Sequence, residues 1–536
     1  MAFLILAPVF IMLLASAGIV LLQWRSRRFG YAWIIATTAT LLSWGVMLYL
    51  RLRLPETLVL AKWQPATLFA AQPVLAIDRP SWPYATALVT LILAMILTDS
   101  ARTHLGSVSA INWAGSLALG AVGLLAVLAG NPFTLMVAWT AIDLVELMVL
   151  LGGEETISLS RRVVIAFAAR LLGTMALLAA IIISPTNGES FDLSGSSSVA
   201  IFFFLLAAGL RLGVLPLHLP FTQEPRLRRG MGTILRLAPV ASALALLARL
   251  PDNAIPERWI VPLAALVSLA AFYSAAKWLS AENEMTGRPY WLVGMGALAL
   301  MSVVNGKPAA SLAWGLALLL PGGLLFLYSA RRRSFLFLTA LGLWGMLGLP
   351  FSPAATGWQG LSPGSLSFWG VLIWLALILL ILGYIRHALR AGDPTDSIEK
   401  WALFVYPLGL FGLIFIDIVI GIWGWPGSRS VGIWWMGAVT VSIVALVLFV
   451  YRFYPAVRKL INPPETSGLP QFIRAALGFL GNVFRLDWLY RFIWFVYETL
   501  GKILTIFSAI LEGDGGVLWA LLLLVLLVSL IGRGGF

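Results

Sequence analysis

The sequence contains no cysteine and only three histidines among its 536 residues. The missing cysteines exclude disulfides, iron–sulfur ligation and thiol nucleophiles, and three histidines leave little for a histidine metal cluster. Charged residues make up 11% of the chain, whereas soluble domains carry about 25%. Hydrophobic residues make up 60%, and the mean hydropathy is +0.94. This composition excludes a soluble enzyme and predicts an all-α polytopic membrane protein with no cofactor on this chain.

The net charge of +13 comes largely from basic residues in short loops between apolar runs, such as Arg161-Arg162 and Arg331 to Arg333. Basic residues in such loops set membrane orientation, so the charge does not predict nucleic acid as a partner. Alternate loops are basic, and the positive-inside rule places them in the cytoplasm and both termini outside. We therefore expect an integral protein of a prokaryotic plasma membrane, surrounded by lipid bilayer, with extracytoplasmic N- and C-termini.

Sixteen apolar runs are candidates for transmembrane helices, because about 20 apolar residues cross the roughly 30 Å of bilayer core. They lie near 2–22, 30–50, 80–98, 110–129, 131–152, 162–184, 197–216, 231–250, 258–276, 289–305, 309–329, 334–350, 367–385, 401–424, 430–450 and 516–532. The segment before the last run is aromatic but too polar for the bilayer centre, which predicts an amphipathic helix along the membrane interface or along other subunits.

These features divide the chain into five predicted regions. They are three N-terminal transmembrane helices (1–109), a core (110–385), peripheral transmembrane helices (386–464), the amphipathic helix (465–515) and a final transmembrane helix (516–536).

Ionisable residues inside apolar runs are costly and therefore mark where a mechanism would lie. They are Asp143, Glu146, Arg170, Arg211, Arg236 and Asp417. Asp143 and Glu146 stand three residues apart, hence on one face of a helix. They are either part of a proton or cation path or a buried anchor paired to an arginine of a neighbouring helix. Asp417 has no cation in its own run and is either a proton site or a neutral, hydrogen-bonded acid.

The seventh run contains Pro216, which removes a backbone donor and predicts a broken or kinked helix. Such a break frees carbonyls that can hold water or ions in a transport path. Arg211 and His218 lie seven residues apart, which in a continuous helix places them on one face two turns apart. The alternative for His218 is an interfacial residue at a helix end.

The stretch Gly209–Pro225, followed by Arg236, resembles a signature of the antiporter-like membrane subunits of respiratory complex I, membrane-bound hydrogenases and Mrp cation/proton antiporters. In that family a lysine precedes the histidine of a Pro-Leu-His motif by seven residues, and a second basic residue or histidine follows it. Here these positions hold Arg211, His218 and Arg236. Gly348-Leu-Pro350 resembles the break in the family's helix twelve.

The end of the chain, from Leu486 through Gly516 to the last run, resembles the lateral helix and closing helix of the longest antiporter-like subunit. The resemblance implies two inverted five-helix repeats with breaks in helices 7 and 12, at Pro216 and Pro350. It also implies partners: other membrane subunits of a multi-subunit complex, including quinone-reducing or hydrogenase subunits. Region 110–385 would be the antiporter-like core.

The sequence departs from the family at the positions thought to carry protons. The glutamate of helix five falls at Thr140, and the lysine of helix seven is Arg211. The histidine and lysine of helix eleven fall close to Leu318 and Gly322, and 334–385 contains no charged residue. A buried lysine can load and release a proton, but arginine cannot, because its ordinary pKa exceeds about 12.

We therefore favour a member whose proton conduction is impaired or altered and whose role is structural or coupling. As an enzyme it is at most a non-catalytic membrane subunit of an NADH:quinone oxidoreductase-like or hydrogenase-like complex. The alternative is a working proton or cation translocating subunit that uses Asp143/Glu146, Arg211 and His218. A remote alternative is a lipid-linked glycosyl transferase, which would need catalytic groups in a large extracytoplasmic loop, and of the two candidate loops 351–366 has no ionisable residue.

Overall fold

A computed structural model of the protein describes residues 2–25, 31–60, 71–105, 109–151, 157–185, 191, 193, 196–219, 229–329, 335–349, 352–361, 367–390, 392, 399–424, 429, 433–453, 495, 498–499, 502, 505 and 521–525. The chain divides into two compact units, Met1–Pro463 and Pro464–Phe536. Nearly all described residues belong to the first unit, which is almost wholly helical.

The described helices are α1 (Ala7–Arg25), α2 (Ala32–Leu50), α3 (Ser81–Asp99), α4 (Ala110–Val127), α5 (Pro132–Leu151), α6 (Ile157–Ile183), α7 (Ser198–Leu212), α8 (Arg229–Ala248), α9 (Glu257–Ser280), α10 (Glu284–Val304), α11 (Pro308–Leu327), α12 (Leu336–Met346), α13 (Trp358–Leu361), α14 (Phe368–Ala388), α15 (Lys400–Trp423) and α16 (Trp434–Phe453). Within the described residues, eleven helices are long and apolar enough to cross a membrane. The prediction of an all-α integral membrane protein is confirmed, and the count of sixteen spans stays a prediction.

Helices α3, α8 and α11 form the centre of the first unit. Almost all of their side chains are buried, whereas most side chains of α1, α2 and α16 are exposed or only partly buried. Close approach in the centre depends on small residues: a Cβ on Gly123 of α4 would lie 3.1 Å from the Cβ of Ala238 on α8. Small residues therefore let the backbones of the central helices meet closely.

A two-stranded antiparallel sheet precedes α3. It consists of β1 (Glu56–Val59) and β2 (Val74–Ile77), paired from Glu56 opposite Ile77. Arg249, just after α8, ties this region to the bundle: it donates to Asp78 at 3.2 Å and to the carbonyl oxygen of Ala129 at 2.8 Å. The connection between α2 and α3 is thus anchored to the loops after α4 and α8.

Apart from the four-residue α13, two helices are unusually short, and both are followed by a glycine with positive φ. Helix α7 has 15 residues and ends before Gly213 (φ 74°), and α12 has 11 residues and ends near Gly348 (φ 67°). They stand five apart in the helix order, which agrees with the predicted breaks in helices 7 and 12. Pro350 itself lies outside the described residues, so its role in the second break stays a prediction.

The break after α7 differs from its prediction in cause and in geometry. The helix ends at Leu212, because Gly213 adopts a left-handed conformation that glycine takes without a Cβ penalty. Pro216 comes later, in the turn that follows. Backbone N–H groups of Val214 and Leu215 donate to the carbonyl of Gly209, so this freed carbonyl is not left for water or ions. The expectation that Arg211 and His218 share one helical face is therefore wrong.

Few residues of the second unit are described. Glu498 and Lys502 are helical, and their carboxylate and ammonium groups lie 3.0 Å apart in the i,i+4 arrangement of a helix. The predicted amphipathic lateral helix (465–515) and last transmembrane helix (516–536) lie mostly outside the described residues. These two elements and the five-region division stay predictions.

Candidate functional site

Four consecutive helices bring five charged side chains together inside the first unit. They are Asp143 and Glu146 on α5, Arg170 on α6, Arg211 on α7 and Arg236 on α8. We call these five the arginine–carboxylate cluster. None is more than 4% exposed. Burial of ions at such depth is costly unless each is paired, so the pairing decides what the cluster can do.

The charges of the cluster alternate in sign along a chain of contacts. Arg211 donates from Nη2 to Oδ2 of Asp143 at 2.5 Å. Arg170 lies between the two acids: its Nε is 3.6 Å from Oδ1 of Asp143, and its Nη1 pairs with Oε2 of Glu146. Arg236 donates from Nη1 to Oε1 of Glu146 at 2.6 Å. The order Arg211–Asp143–Arg170–Glu146–Arg236 begins and ends with a cation, so the cluster has a net charge of +1.

Arg211 is held by neutral groups as well. It donates to Oγ1 of Thr174 at 3.2 Å, and its guanidinium lies 4.1 Å from the ring centroid of Trp139, a distance typical of a cation–π contact. The indole of Trp139 is itself fixed by a 2.8 Å hydrogen bond to Oγ of Ser242 on α8. Arg211 is therefore immobilised by an ion, a hydroxyl and an aromatic face.

His218 lies in the turn after α7 and is 3% exposed. Its Nδ1 is 2.7 Å from the carbonyl oxygen of Pro216. A carbonyl only accepts, so this contact requires the proton on Nδ1 and leaves Nε2 as an acceptor. Among the described residues Nε2 has no hydrogen-bond partner. The alternative of an interfacial residue at a helix end stays a prediction.

The structure thus joins four of the six predicted path residues, Asp143, Glu146, Arg211 and Arg236, and places His218 and Asp417 elsewhere. It also gives the central position to Arg170, which the sequence marked only as an intramembrane charge. Two carboxylates one turn apart need a cation between them, and this requirement was the available signal for Arg170.

The residue of α5 at the position of the family's glutamate is Thr140, which does not face the interior. Thr140 is exposed, and its hydroxyl donates to the carbonyl of Met136 within the same helix. Asp143 and Glu146, three and six residues later, face the interior. The buried carboxylates of α5 therefore lie one and about two helical turns beyond the position that matches the family's glutamate.

Aromatic side chains occupy the positions where the resemblance places ionisable groups of helix eleven. Trp291 of α10 donates from Nε1 to the carbonyl oxygen of Leu318 at 3.3 Å. A Cβ on Gly322 would overlap the same indole nitrogen, so the missing side chain makes room for Trp291. The Trp291 ring lies 5.3 Å from that of Trp278 and 6.0 Å from that of Tyr384. A packed aromatic group fills this part of the bundle.

Asp417 lies on α15, apart from the arginine–carboxylate cluster, and is 3% exposed. Its carboxylate contacts α12 at Gly345, where a Cβ would overlap Oδ2. Among the described residues Oδ1 has no hydrogen-bond partner.

Three solved structures share this arrangement of helices. One is a chain of the membrane-bound sulfane sulfur reductase, an archaeal respiratory membrane complex, with a TM-score of 0.67 over 98% of this chain and 99% of that chain. The others are chains of an Mrp complex from a Dietzia species (TM-score 0.66, covering 94% and 62%) and of respiratory complex I from Thermus thermophilus (0.61, covering 80% and 98%). The chain has the antiporter-like fold.

Sequence identity to these three structures is 15%, 16% and 17%, so what is shared is the fold. No protein-family model and no curated protein matches the sequence. The predicted resemblance to antiporter-like membrane subunits is confirmed at the level of the antiporter-like fold, and the chain is an integral membrane protein. These three structural neighbours are chains of membrane complexes.

Proposed function

We propose that this chain is a structural or coupling membrane subunit of a multi-subunit complex and that it does not conduct protons through its arginine–carboxylate cluster. The observation that carries the proposal is the alternating order of the cluster, in which arginine stands at every cationic position. Deprotonating an arginine at neutral pH costs at least about 7 kcal/mol, at 1.36 kcal/mol per pKa unit. The three guanidiniums therefore act as fixed charges.

The aromatic packing around Trp291 supports the same proposal. A proton path needs ionisable groups or water along its length, and Trp291 and Tyr384 bring large apolar surfaces to the positions near Leu318 and Gly322. A subunit with fixed charges in α5–α8 and packed rings between α10 and α14 is better suited to holding an assembly together.

The structural neighbours indicate the kind of assembly. Each comes from a membrane complex of several chains, and two of those complexes are respiratory. We propose other membrane subunits as partners, with any electron transfer confined to them. The predicted lateral helix would strengthen such contacts. We also keep the predicted orientation, with both termini outside a prokaryotic plasma membrane.

A second candidate function is proton or cation translocation. It is favoured by one observation: Nε2 of the buried His218 is an available acceptor among the described residues. In that case His218 and the Asp143/Glu146 pair would form part of a half-channel. The glycosyl transferase alternative gains no support, because Asp78 in the extramembrane connection is held by Arg249.

The test is proton translocation by the purified complex in proteoliposomes, measured as protons moved per electron. The double variant Asp143→Asn/Arg211→Gln removes one carboxylate and one guanidinium together, so the net charge of the cluster stays at +1. A structural role predicts an unchanged ratio in the assembled complex. A ratio that falls while assembly is intact would reject the proposal in favour of translocation. Thr140→Val, on the exposed face of the same helix, is the matched control.

A further inference from the structure

The end of α12 is surrounded by buried polar atoms that lack partners. Oδ1 of Asp417 on α15 and the hydroxyl of Tyr384 on α14 make no hydrogen bond to any described residue. Asp417 is 3% exposed and Tyr384 is 1% exposed. Buried polar groups are almost always satisfied, so two unsatisfied oxygens at one place point to a bound ion or water.

Both groups lie against one face of α12. A Cβ on Gly342 would be 2.7 Å from the Tyr384 hydroxyl, and one on Gly345 would overlap Oδ2 of Asp417. Residues three apart on a helix have their Cβ positions about 5–6 Å apart. The space between the carboxylate and the hydroxyl is therefore flanked by about one helical turn of α12, and the two glycines let these oxygens approach the helix backbone.

The charge around this space favours a cation. Helix α12 ends at Met346, one residue beyond Gly345, so the negative end of its dipole and its last carbonyls lie beside the carboxylate. Segment 335–385 has no charged residue. Among the described residues, α15 also packs against α3, α11, the turn at Ser100–Leu105 and Pro353–Gly357.

Titratable groups with described side chains on these neighbouring elements do not supply a counter-ion. They are Tyr84, Asp99 and Arg102, and Arg102 lies 2.7 Å from Asp99. Helix α15 meets α3 near Thr98 at Gly409, which is eight residues or about 12 Å along the helix from Asp417. An isolated buried carboxylate costs several kcal/mol, so a bound positive charge explains how Asp417 is accommodated.

We propose that Asp417, Tyr384 and the end of α12 form a binding site for one monovalent cation coordinated by oxygen atoms. A single carboxylate balances one charge, and carboxylate, hydroxyl and carbonyl oxygens are the ligands of hard cations. The cation is an alkali ion, sodium or potassium. The site shares no residue with the arginine–carboxylate cluster.

The test is labelling of the purified complex with dicyclohexylcarbodiimide, which modifies protonated carboxyl groups in apolar surroundings. Modification of Asp417 is quantified by mass spectrometry of its peptide, with sodium, potassium or choline chloride at fixed pH and then across a pH series without alkali ions. An alkali-ion site predicts labelling that falls as sodium or potassium rises but not with choline. Labelling that ignores alkali ions and falls only as pH rises is what a protonated carboxyl group without a bound ion gives, and it would overturn the proposal. Labelling that responds to neither, or its absence throughout, would overturn the proposal.

Matched variants locate the site. Tyr384→Phe removes one ligand oxygen and is expected to raise the half-protecting concentration of the alkali ion by about tenfold. Gly345→Ala places a methyl group against the carboxylate and is expected to abolish the ion response. Tyr406→Phe and Gly412→Ala are the controls on α15. The Tyr406 hydroxyl accepts a hydrogen bond from the backbone N–H of Ser329, away from the site, and a Cβ on Gly412 meets open space. Equal effects of the site and control variants would contradict the assignment.

Discussion

The alternating order of the arginine–carboxylate cluster predicts how a change in its net charge affects the free energy of unfolding. Asp143→Asn raises the net charge of the cluster from +1 to +2 and removes the 2.5 Å contact of Arg211. Removing one partner of a buried ion pair lowers the free energy of unfolding by about 3–5 kcal/mol, and we expect a loss of that size for Asp143→Asn. Arg211→Gln brings the net charge to zero and leaves Asp143 beside Arg170 at 3.6 Å, so we expect a smaller loss, about 1–3 kcal/mol.

The double variant Asp143→Asn/Arg211→Gln restores a net charge of +1 and retains the Arg170–Glu146–Arg236 contacts. We therefore expect it to be more stable than Asp143→Asn alone, although it carries one more substitution. If the two sites were independent, the losses of unfolding free energy in the two single variants would add to within about 0.5 kcal/mol.

The assay is reversible unfolding of the chain in mixed detergent micelles, followed by the fluorescence of its 23 tryptophans. Thr140→Val on the exposed face of α5 is the control and is expected to stay within about 0.5 kcal/mol of the parent. If the losses of the two single variants simply add, the carboxylate and guanidinium are not coupled and the reasoning fails.

Three further predictions use the same unfolding measurement. Gly322→Ala is expected to destabilise the protein by about 1–3 kcal/mol, because the new methyl group displaces the Trp291 indole. Gly45→Ala, with open space around its Cβ position, is the control, and equal losses of stability in the two variants would refute the packing argument. Ser242→Ala should lower the free energy of unfolding by about 1 kcal/mol, because it removes the acceptor for the Trp139 indole. The same substitution in a Trp139→Phe background is expected to cause no further loss. Arg249→Ala should lower the free energy of unfolding by about 1–3 kcal/mol, since it removes contacts to Asp78 and to the Ala129 carbonyl. Asp78→Asn affects only the first of these contacts, so a larger loss for Asp78→Asn than for Arg249→Ala would contradict the prediction.

Local patterns predicted the helices well, because a bilayer imposes their length and apolar character. Each apolar run between 2 and 450 contains a described helix, and the i,i+3 spacing of Asp143 and Glu146 predicted their shared face. The break after α7 was predicted from Pro216, but Gly213 ends the helix first. A glycine becomes a helix terminator only when its φ is positive, and sequence alone does not reveal that angle.

Contacts between distant helices were beyond prediction from one sequence. Arg170 bridges two acids that stand 24 and 27 residues away from it along the chain, and nothing local indicates which helix face its guanidinium meets. Trp291 fills the space above Gly322 on another helix for the same reason.

The order in which α5 to α8 leave the ribosome has a consequence for how this protein is made. Helix α5 brings two negative charges, and α6, α7 and α8 then each add one of the three cluster arginines, so the sum passes from −2 through −1 and zero to +1. An aspartate or arginine at the centre of a lone helix disfavours release into lipid by about 2.5–3.5 kcal/mol. We therefore expect the insertion machinery to retain α5 until its arginine-bearing successors arrive, so that these four helices enter the bilayer as a group.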